Sequence, residues 1–217
     1  MGINCTKIKG KDIPPNAICN FNHPNKNNVP LQSQITQTMG VNQNFFEGNN
    51  KLEFVNSKTI NLKIFHQNIR GIRNKVDELV LHLSESNPQV LCVTEHHLKD
   101  FEINNTGINN YILGAYYCRK TRKSGGAVIF IHDTLLCTPI NLTEYCNELD
   151  LEACAIKLKV LNKVFCILCI YRPPTGNFET FIHLLESLLN KLYTNSINVI
   201  ICGDVNINYL KASNYKN

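Results

Sequence analysis

Four short polar segments each sit at or just past the end of an apolar run with the composition of a buried strand. They are His66-Gln67-Asn68-Ile69-Arg70-Gly71, Val93-Thr94-Glu95, Tyr171-Arg172-Pro173-Pro174 and Gly203-Asp204-Val205-Asn206. This punctuation constrains the chain to a layered α/β arrangement, because strand ends in such a fold carry side chains from distant stretches into one crevice. Gathered there would be the carboxylates of Glu95 and Asp204, the amides of Asn68 and Asn206, the Tyr171 phenol and the guanidiniums of Arg70 and Arg172. Hard oxygen donors and fixed cations suit a divalent cation and a phosphate better than other substrate classes.

The elements between these segments support that architecture. Leu62 and Ile64 alternate with polar neighbours in a first strand, with His66 next in the alternation. Asn74 is a candidate N-cap for a helix carrying Val76, Leu79, Val80 and Leu83 at helical spacing. Val90-Leu91-Cys92-Val93 is a continuous apolar run typical of a buried strand. Tyr111–Tyr117 and Ala127–Ile131 predict two strands around the basic loop Arg119-Lys120-Thr121-Arg122-Lys123-Ser124-Gly125-Gly126. A second hairpin is predicted from Leu151–Val160 and Val164–Tyr171. A helix with a wide apolar face follows from Phe178 to Leu192, then a strand over Asn198–Cys202. Paired strands interleaved with helices predict an α/β fold of two packed mixed sheets flanked by helices, a four-layer α/β sandwich.

Residues 1–58 have a different texture. Runs such as Asn22-His23-Pro24-Asn25-Lys26-Asn27-Asn28 scatter apolar residues without period, and such a stretch cannot bury enough surface to offset its ordering entropy. The expectation is a disordered Asn-rich leader over 1–58 and a folded domain over 59–217. Ten cysteines among 217 residues could indicate a disulfide scaffold. Most lie inside apolar runs, however, where cysteine acts as a small hydrophobe, so reduced thiols and a nuclear or cytoplasmic location are expected. No stretch has the length of a membrane span or the form of a signal peptide. Met1-Gly2 with Thr6 fits a short N-myristoylation pattern that is common by chance. The net charge of +5 permits a polyanionic partner without demanding one.

Each polar segment has a plain structural alternative. Glu95 is either a metal ligand or a solvated strand end. Asp204 and Asn206 can orient water and hold phosphate, or close the strand with an Asx turn. Arg119, Lys120, Arg122 and Lys123 form either a solvated turn or contacts to a nucleic-acid backbone. His96 and His97 point oppositely on an extended chain and should not share a zinc ion. Cys166 and Cys169 fall on opposite strand faces and belong to the core.

Taken in order, Gln67-Asn68-Ile69-Arg70-Gly71, Thr94-Glu95, Ser124-Gly125-Gly126-Ala127, Tyr171-Arg172-Pro173-Pro174 and Gly203-Asp204-Val205-Asn206 resemble the endonuclease/exonuclease/phosphatase superfamily. Within it the chain looks most like the apurinic-like endonuclease domain of non-LTR retrotransposons. The resemblance covers about Asn61 to Tyr209, and the Tyr-Arg-Pro-Pro form favours the retroelement branch. It implies Mg2+ held by Glu95 with Asn68 beside it, Tyr171 contacting the scissile phosphate, Asp204 orienting the attacking water and Asn206 stabilising the transition state. It also implies DNA as partner, no small-molecule cofactor and no membrane; oligomeric state stays open. Val205 stands where the family usually has an aromatic. The family's later segments, a downstream Asp and a closing Ser-Asp-His, do not follow Asp204, so the domain is expected to be incomplete at its C-terminus. The leading expectation is a Mg-dependent DNA-nicking endonuclease fragment. The alternatives are a non-catalytic remnant that binds nucleic acid or protein, and a phosphatase of the same superfamily.

Overall fold

The computed structural model describes residues 60–193 and 197–207, together with the backbone of short strands at Lys7–Ile8, Lys11–Asp12, Ile18–Phe21 and Ser33–Met39. Eight strands and the helices between them build the described body. In chain order they are β1 (Ile60–Asn68), α1 (Val76–Ser86), β2 (Val90–Thr94), α2 (Asp100–Ile103), β3 (Tyr111–Tyr117) and β4 (Ala127–His132). Then come β5 (Cys137–Ile140), a 3-10 turn at Thr143–Tyr145, β6 (Glu152–Val160), β7 (Lys163–Tyr171), α3 (Phe178–Leu192) and β8 (Ile197–Asp204).

The first sheet runs β1-β2-β4-β3, with β1 and β2 parallel and the remaining pairs antiparallel. The second runs β8-β7-β6-β5, with β7 and β8 parallel and the rest antiparallel. Within the stretch expected as a leader, Ser33–Met39 pairs with the outer edge of β1 and Ile18–Phe21 with the outer edge of β8. Most of that stretch lies outside the described residues.

Three apolar layers explain the order of slabs. Leu79 and Leu83 of α1 pack with Phe65, Leu91, Val93, Val128 and Phe130 on the outer face of the first sheet. Ile64, Cys92, Ile129, Ile156, Phe165, Ile167 and Cys169 fill the space between the sheets. Cys166, Leu168, Ile170 and Ile201 meet Phe181, Leu185 and Leu188 of α3 on the far side. Strands covered on both faces have no solvent side to write in polar residues, which is why β2 and β7 are continuously apolar. Two mixed sheets between two helical layers are thus the fold that the pattern predicts, and Cys166 and Cys169 do face opposite layers.

Local details differ from expectation in three places. The N-cap of α1 is Lys75, without a side-chain cap, and Asn74 sits in the preceding turn. That helix ends on Asn87 in the left-handed region, just before Pro88. Asn177 does cap α3, accepting the Thr180 N–H at 2.9 Å. Neither β5 nor α2 was anticipated. Each is only four residues long, and β5 carries Pro139 at a sheet edge, the one place where a strand tolerates it.

A buried ion pair joins the two sheets. Arg119, at the end of β3, places Nε and Nη2 each 2.6 Å from Glu152 Oε1 at the start of β6. Glu152 is fully buried, and its other oxygen accepts the Gly126 N–H at 2.7 Å. Removing one member of such a pair leaves a dehydrated charge behind. Glu152→Ala is therefore expected to lower unfolding free energy by about 3–5 kcal/mol. A reduced urea midpoint with unchanged slope is the measurement that checks it.

Candidate active site

The parallel pairs β1/β2 and β7/β8 both end at the same mouth of the sandwich. Past the strand ends the first ladder continues, with Ile69 N donating to Thr94 O at 3.0 Å and Gly71 N to Glu95 O at 2.7 Å. The second ends with Tyr171 opposite Asp204, and Arg172 N donates to Asp204 O at 2.9 Å. Gly203 lies within β8 rather than in a turn. Its need for no side chain comes from the carbonyl of Ile170 on β7, which an added Cβ would overlap.

At this mouth one amide ties the sheets together. Asn68 Nδ2 donates to Glu95 Oε1 at 2.9 Å and to Asp204 Oδ2 at 2.7 Å. Both protons of that nitrogen are used, so the assignment of N and O in this amide follows from its partners. The Asn68 Oδ1 is buried and has no hydrogen-bond partner. Tyr171 is buried beside Glu95; burial first, then the Glu95 charge and a hydrogen bond to it, raise the phenol well above its usual range. The phenol is therefore a proton donor at any working pH.

Asp204 is also buried, and desolvation raises its pKa. Hydrogen bonds from Asn68 and the Asn206 N–H, with His66 nearby, pull the other way, while the Glu95 charge adds to the rise. Asn206 N donates to Asp204 Oδ1 at 3.1 Å, which is the Asx turn weighed as an alternative; it coexists with the Asn68 contact on the other oxygen. Asn206 Nδ2 donates to the Arg172 carbonyl at 2.8 Å. Four non-glycine residues around the mouth, Arg70, Glu95, His97 and Asn206, have positive φ between 48° and 60°. Such backbone costs on the order of 1–3 kcal/mol each and persists where the surroundings impose it.

Two expected phosphate contacts do not face the cleft. The Arg172 guanidinium donates from Nη1 to Val205 O at 3.0 Å and from Nη2 to Gly176 O at 2.7 Å, and lies over the rings of Phe178 and Phe181. It clamps the loop after β8 to the start of α3. Arg119 is spent on Glu152, so burial makes it a structural cation and not a solvated one. Arg70, Lys120, Arg122 and Lys123 are exposed.

His96 is buried, with Nδ1 accepting from Leu98 N at 3.0 Å and Nε2 on Tyr117 O at 3.0 Å. Desolvation lowers it to about 4, so it stays neutral as a framework residue. His97 instead faces Glu95, Nε2 to Oε2 at 3.6 Å. Sequence reasoning missed His97 as a neighbour of the site. It also missed His66, which is buried on β1 with Nε2 3.3 Å from Thr94 Oγ1. The signal for His66 was available: it lies two residues before Asn68 on one strand, hence on the same face.

Among the described residues no group of three His, Cys, Asp or Glu side chains is arranged to cage a metal ion. Two carboxylates and the orphaned Asn68 Oδ1 are instead a sparse set of hard oxygens. That set fits a cation such as Mg2+, which keeps most of its waters and takes only one or two carboxylates from a protein. Glu95 and Asn68 are the residues that would hold it.

Convergence of oxygen ligands, a phenol donor and a buried carboxylate on the strand ends of a four-layer sandwich defines a phosphoesterase-type cleft. The profile of the Endonuclease/Exonuclease/phosphatase family matches residues 65–214, and the chain belongs to that family. No curated protein matches it. Among solved structures it is similar in fold to the endonuclease domain of TRAS1, a telomere-specific non-LTR retrotransposon. That match has a TM-score of 0.55 at 12% identity, covering 69% of this chain and 62% of that one. A humanized TDP2 from D. rerio with 14 mutations matches at TM-score 0.52 and 14% identity, covering 71% and 66%. D. rerio TDP2 complexed with single strand DNA product matches at TM-score 0.52 and 14% identity, covering 70% and 64%. The chain thus spans less than two thirds of the length of each of these structures.

The raised pKa of Asp204 has a definite sign. Stability from its protonated form is fully present below the ordinary value of 3.8 and is lost as pH rises through the higher folded value. Asp204→Asn should therefore raise the melting temperature of the metal-free protein near neutral pH. The gain should vanish in acid below 3.8, and paired thermal melts at the two pH values measure it.

Proposed function

We propose that this chain carries out Mg-dependent hydrolysis of phosphodiester bonds in DNA, as a retrotransposon-type endonuclease domain that nicks its target. The observation that carries the reading is the Asn68 amide held between Glu95 and Asp204, since it brings a cation ligand and a candidate base within one side chain of each other. Family membership supports phosphoester chemistry, and the fold likeness to the TRAS1 endonuclease domain supports the retroelement branch.

A divalent ion on Glu95 and Asn68 would neutralise charge growing on the phosphoryl oxygens. The remaining steps belong to the chain. Ionised Asp204, its carboxylate fixed on both oxygens by Asn68 and Asn206, orients a water and takes its proton. The elevated Asp204 pKa makes it a better base than an exposed aspartate. Tyr171 donates its phenolic proton to a non-bridging oxygen. One proton of Asn206 Nδ2 is held by the Arg172 carbonyl, leaving the other for the same phosphoryl group. Arg172 acts through the loop it clamps, not by touching substrate.

We place the folded unit at residues 59–217, in the nucleus or cytoplasm. All eight described cysteines being free thiols supports that location, and no described helix is long and apolar enough to cross a membrane.

Nicking of supercoiled plasmid with Mg2+ is the test. Chelation should abolish it, and Asp204→Ala should slow it by about 10²–10⁴-fold, the usual range for a lost general base. Glu95→Ala should have an effect of similar size that excess Mg2+ partly relieves. Activity surviving both substitutions would remove the site assignment, whereas DNA binding without any turnover would favour the non-catalytic remnant.

A further inference from the structure

The basic loop between β3 and β4 is held from both sides. On one side the Glu148 carboxylate accepts the N–H groups of Lys120, Thr121 at 2.9 Å and Arg122 at 3.2 Å, together with the Thr121 hydroxyl at 2.6 Å. Three successive amides converging on one anion form a nest, here filled from within the chain. On the other side Lys99 Nζ donates to the carbonyls of Arg119 at 2.7 Å, Lys120 at 3.3 Å and Arg122 at 3.2 Å. The backbone of the loop is thus fixed before any substrate arrives. Its side chains are not: Arg122 and Lys123 are exposed, and among the described residues neither side chain has an ion pair or hydrogen bond.

Beneath these two side chains lies a cavity of about 410 Å3, walled by Arg73, His97, Lys99, Arg119, Arg122 and Lys123. Arg73 is neutralised by Glu102 at 2.6 Å and Arg119 by Glu152 at 2.6 Å. Lys99, Arg122 and Lys123 leave a net positive charge there with no carboxylate in the wall. His97 is the partition between this cavity and the cleft, its Nε2 3.6 Å from Glu95 Oε2.

We propose that this cavity is a second phosphate subsite, taking a backbone phosphate of the strand whose neighbouring linkage is cut at Glu95 and Asp204. Arg122 and Lys123 are its ligating cations, and Glu148 is the positioning residue that presents them. The subsite rests on the endonuclease reading above. A phosphate held one side chain away from the reacting linkage sets the register of the strand without reading its bases. Because the loop is preorganised by Glu148 and Lys99, little ordering entropy is lost when the phosphate binds.

The test is duplex oligonucleotide binding by the full chain across a salt series, with inorganic phosphate as a separate ligand and plasmid nicking as the kinetic readout. Arg122→Ala/Lys123→Ala should reduce the slope of log K against log salt by about two, one per lost phosphate contact. Glu148→Ala should raise KM for duplex by about tenfold, the loss appearing in KM and not in kcat, while Glu148→Gln, which keeps an acceptor for the amides, restores most of it. An unchanged salt slope in the double variant overturns the subsite while leaving the endonuclease reading intact. Loss of inorganic phosphate binding with the duplex slope unchanged reassigns the cavity to a small free phosphate and overturns it too. Failure of the wild-type chain to bind duplex overturns both readings. If Glu148→Ala and Glu148→Gln lower the melting temperature and kcat together, Glu148 is only structural and its positioning role falls.

Discussion

The site depends on a single amide group. Asn68 stands on the first sheet, Asp204 on the second, and the nitrogen between them is the polar contact that closes the mouth of the sandwich. Apolar packing between the sheets sets their separation but not their register to within the fraction of an ångström that a hydrogen bond demands. The amide does this by donating both protons to carboxylates from different sheets. Two acidic groups so close would repel. The bridging donor, and a cation when one is bound, is what allows both to be ionised. Buried Asp204 still carries a raised pKa, so the geometry useful for chemistry is held against a small electrostatic cost. Positive φ at Arg70, Glu95, His97 and Asn206 is a second cost at the same place. Both are borne by the three apolar layers, which are far larger than the site.

The architecture was legible because burial on both faces writes itself directly into composition. Runs such as Val90–Val93 and Phe165–Ile170 cannot alternate when each face meets an apolar layer, and the wide stripe of α3 has only one way to pack. Site positions were legible for a related reason: Asn68, Glu95, Tyr171 and Asp204 are the first polar side chains after such runs, and the chain has nowhere to put them except the mouth. What stayed hidden were contacts whose partners lie far apart with no local pattern. Nothing near Arg119 announces Glu152, thirty-three residues on. Nor does the sequence around Arg172 reveal that its guanidinium turns back onto Val205, Gly176 and two phenylalanines. Short elements such as α2 and β5 were missed because four residues carry too little periodicity to register.

These two arginines share a lesson about reading cations from sequence. Both sit in motifs that invite a phosphate, and both are buried. A guanidinium withdrawn from water must spend its fixed fork of donors on carboxylates or carbonyls of the protein itself. The Ser-Gly-Gly stretch follows from the same withdrawal. Gly125, with φ +79°, lies against the Arg119 guanidinium, and Gly126, with φ +92°, lies against the His96 ring. A side chain at either position would collide with a buried polar group already committed to the framework. The glycines are therefore demanded by what lies under the loop, independently of what binds above it.

The division of labour along the basic loop then follows from depth alone. Arg119, at its buried base, anchors the loop to the second sheet through Glu152. Glu148 and Lys99 hold its middle by satisfying backbone amides on one side and carbonyls on the other. Only Arg122 and Lys123 at the tip keep their charge for a partner, and they do so over a cavity already positive. A loop fixed by its own charges loses little entropy when it meets a polyanion, whereas a solvated basic turn of the same composition would have to order at that moment. Charge count is the same in the two cases. The difference between an ordinary solvated turn and a binding element lies in which of its charges the fold has already used.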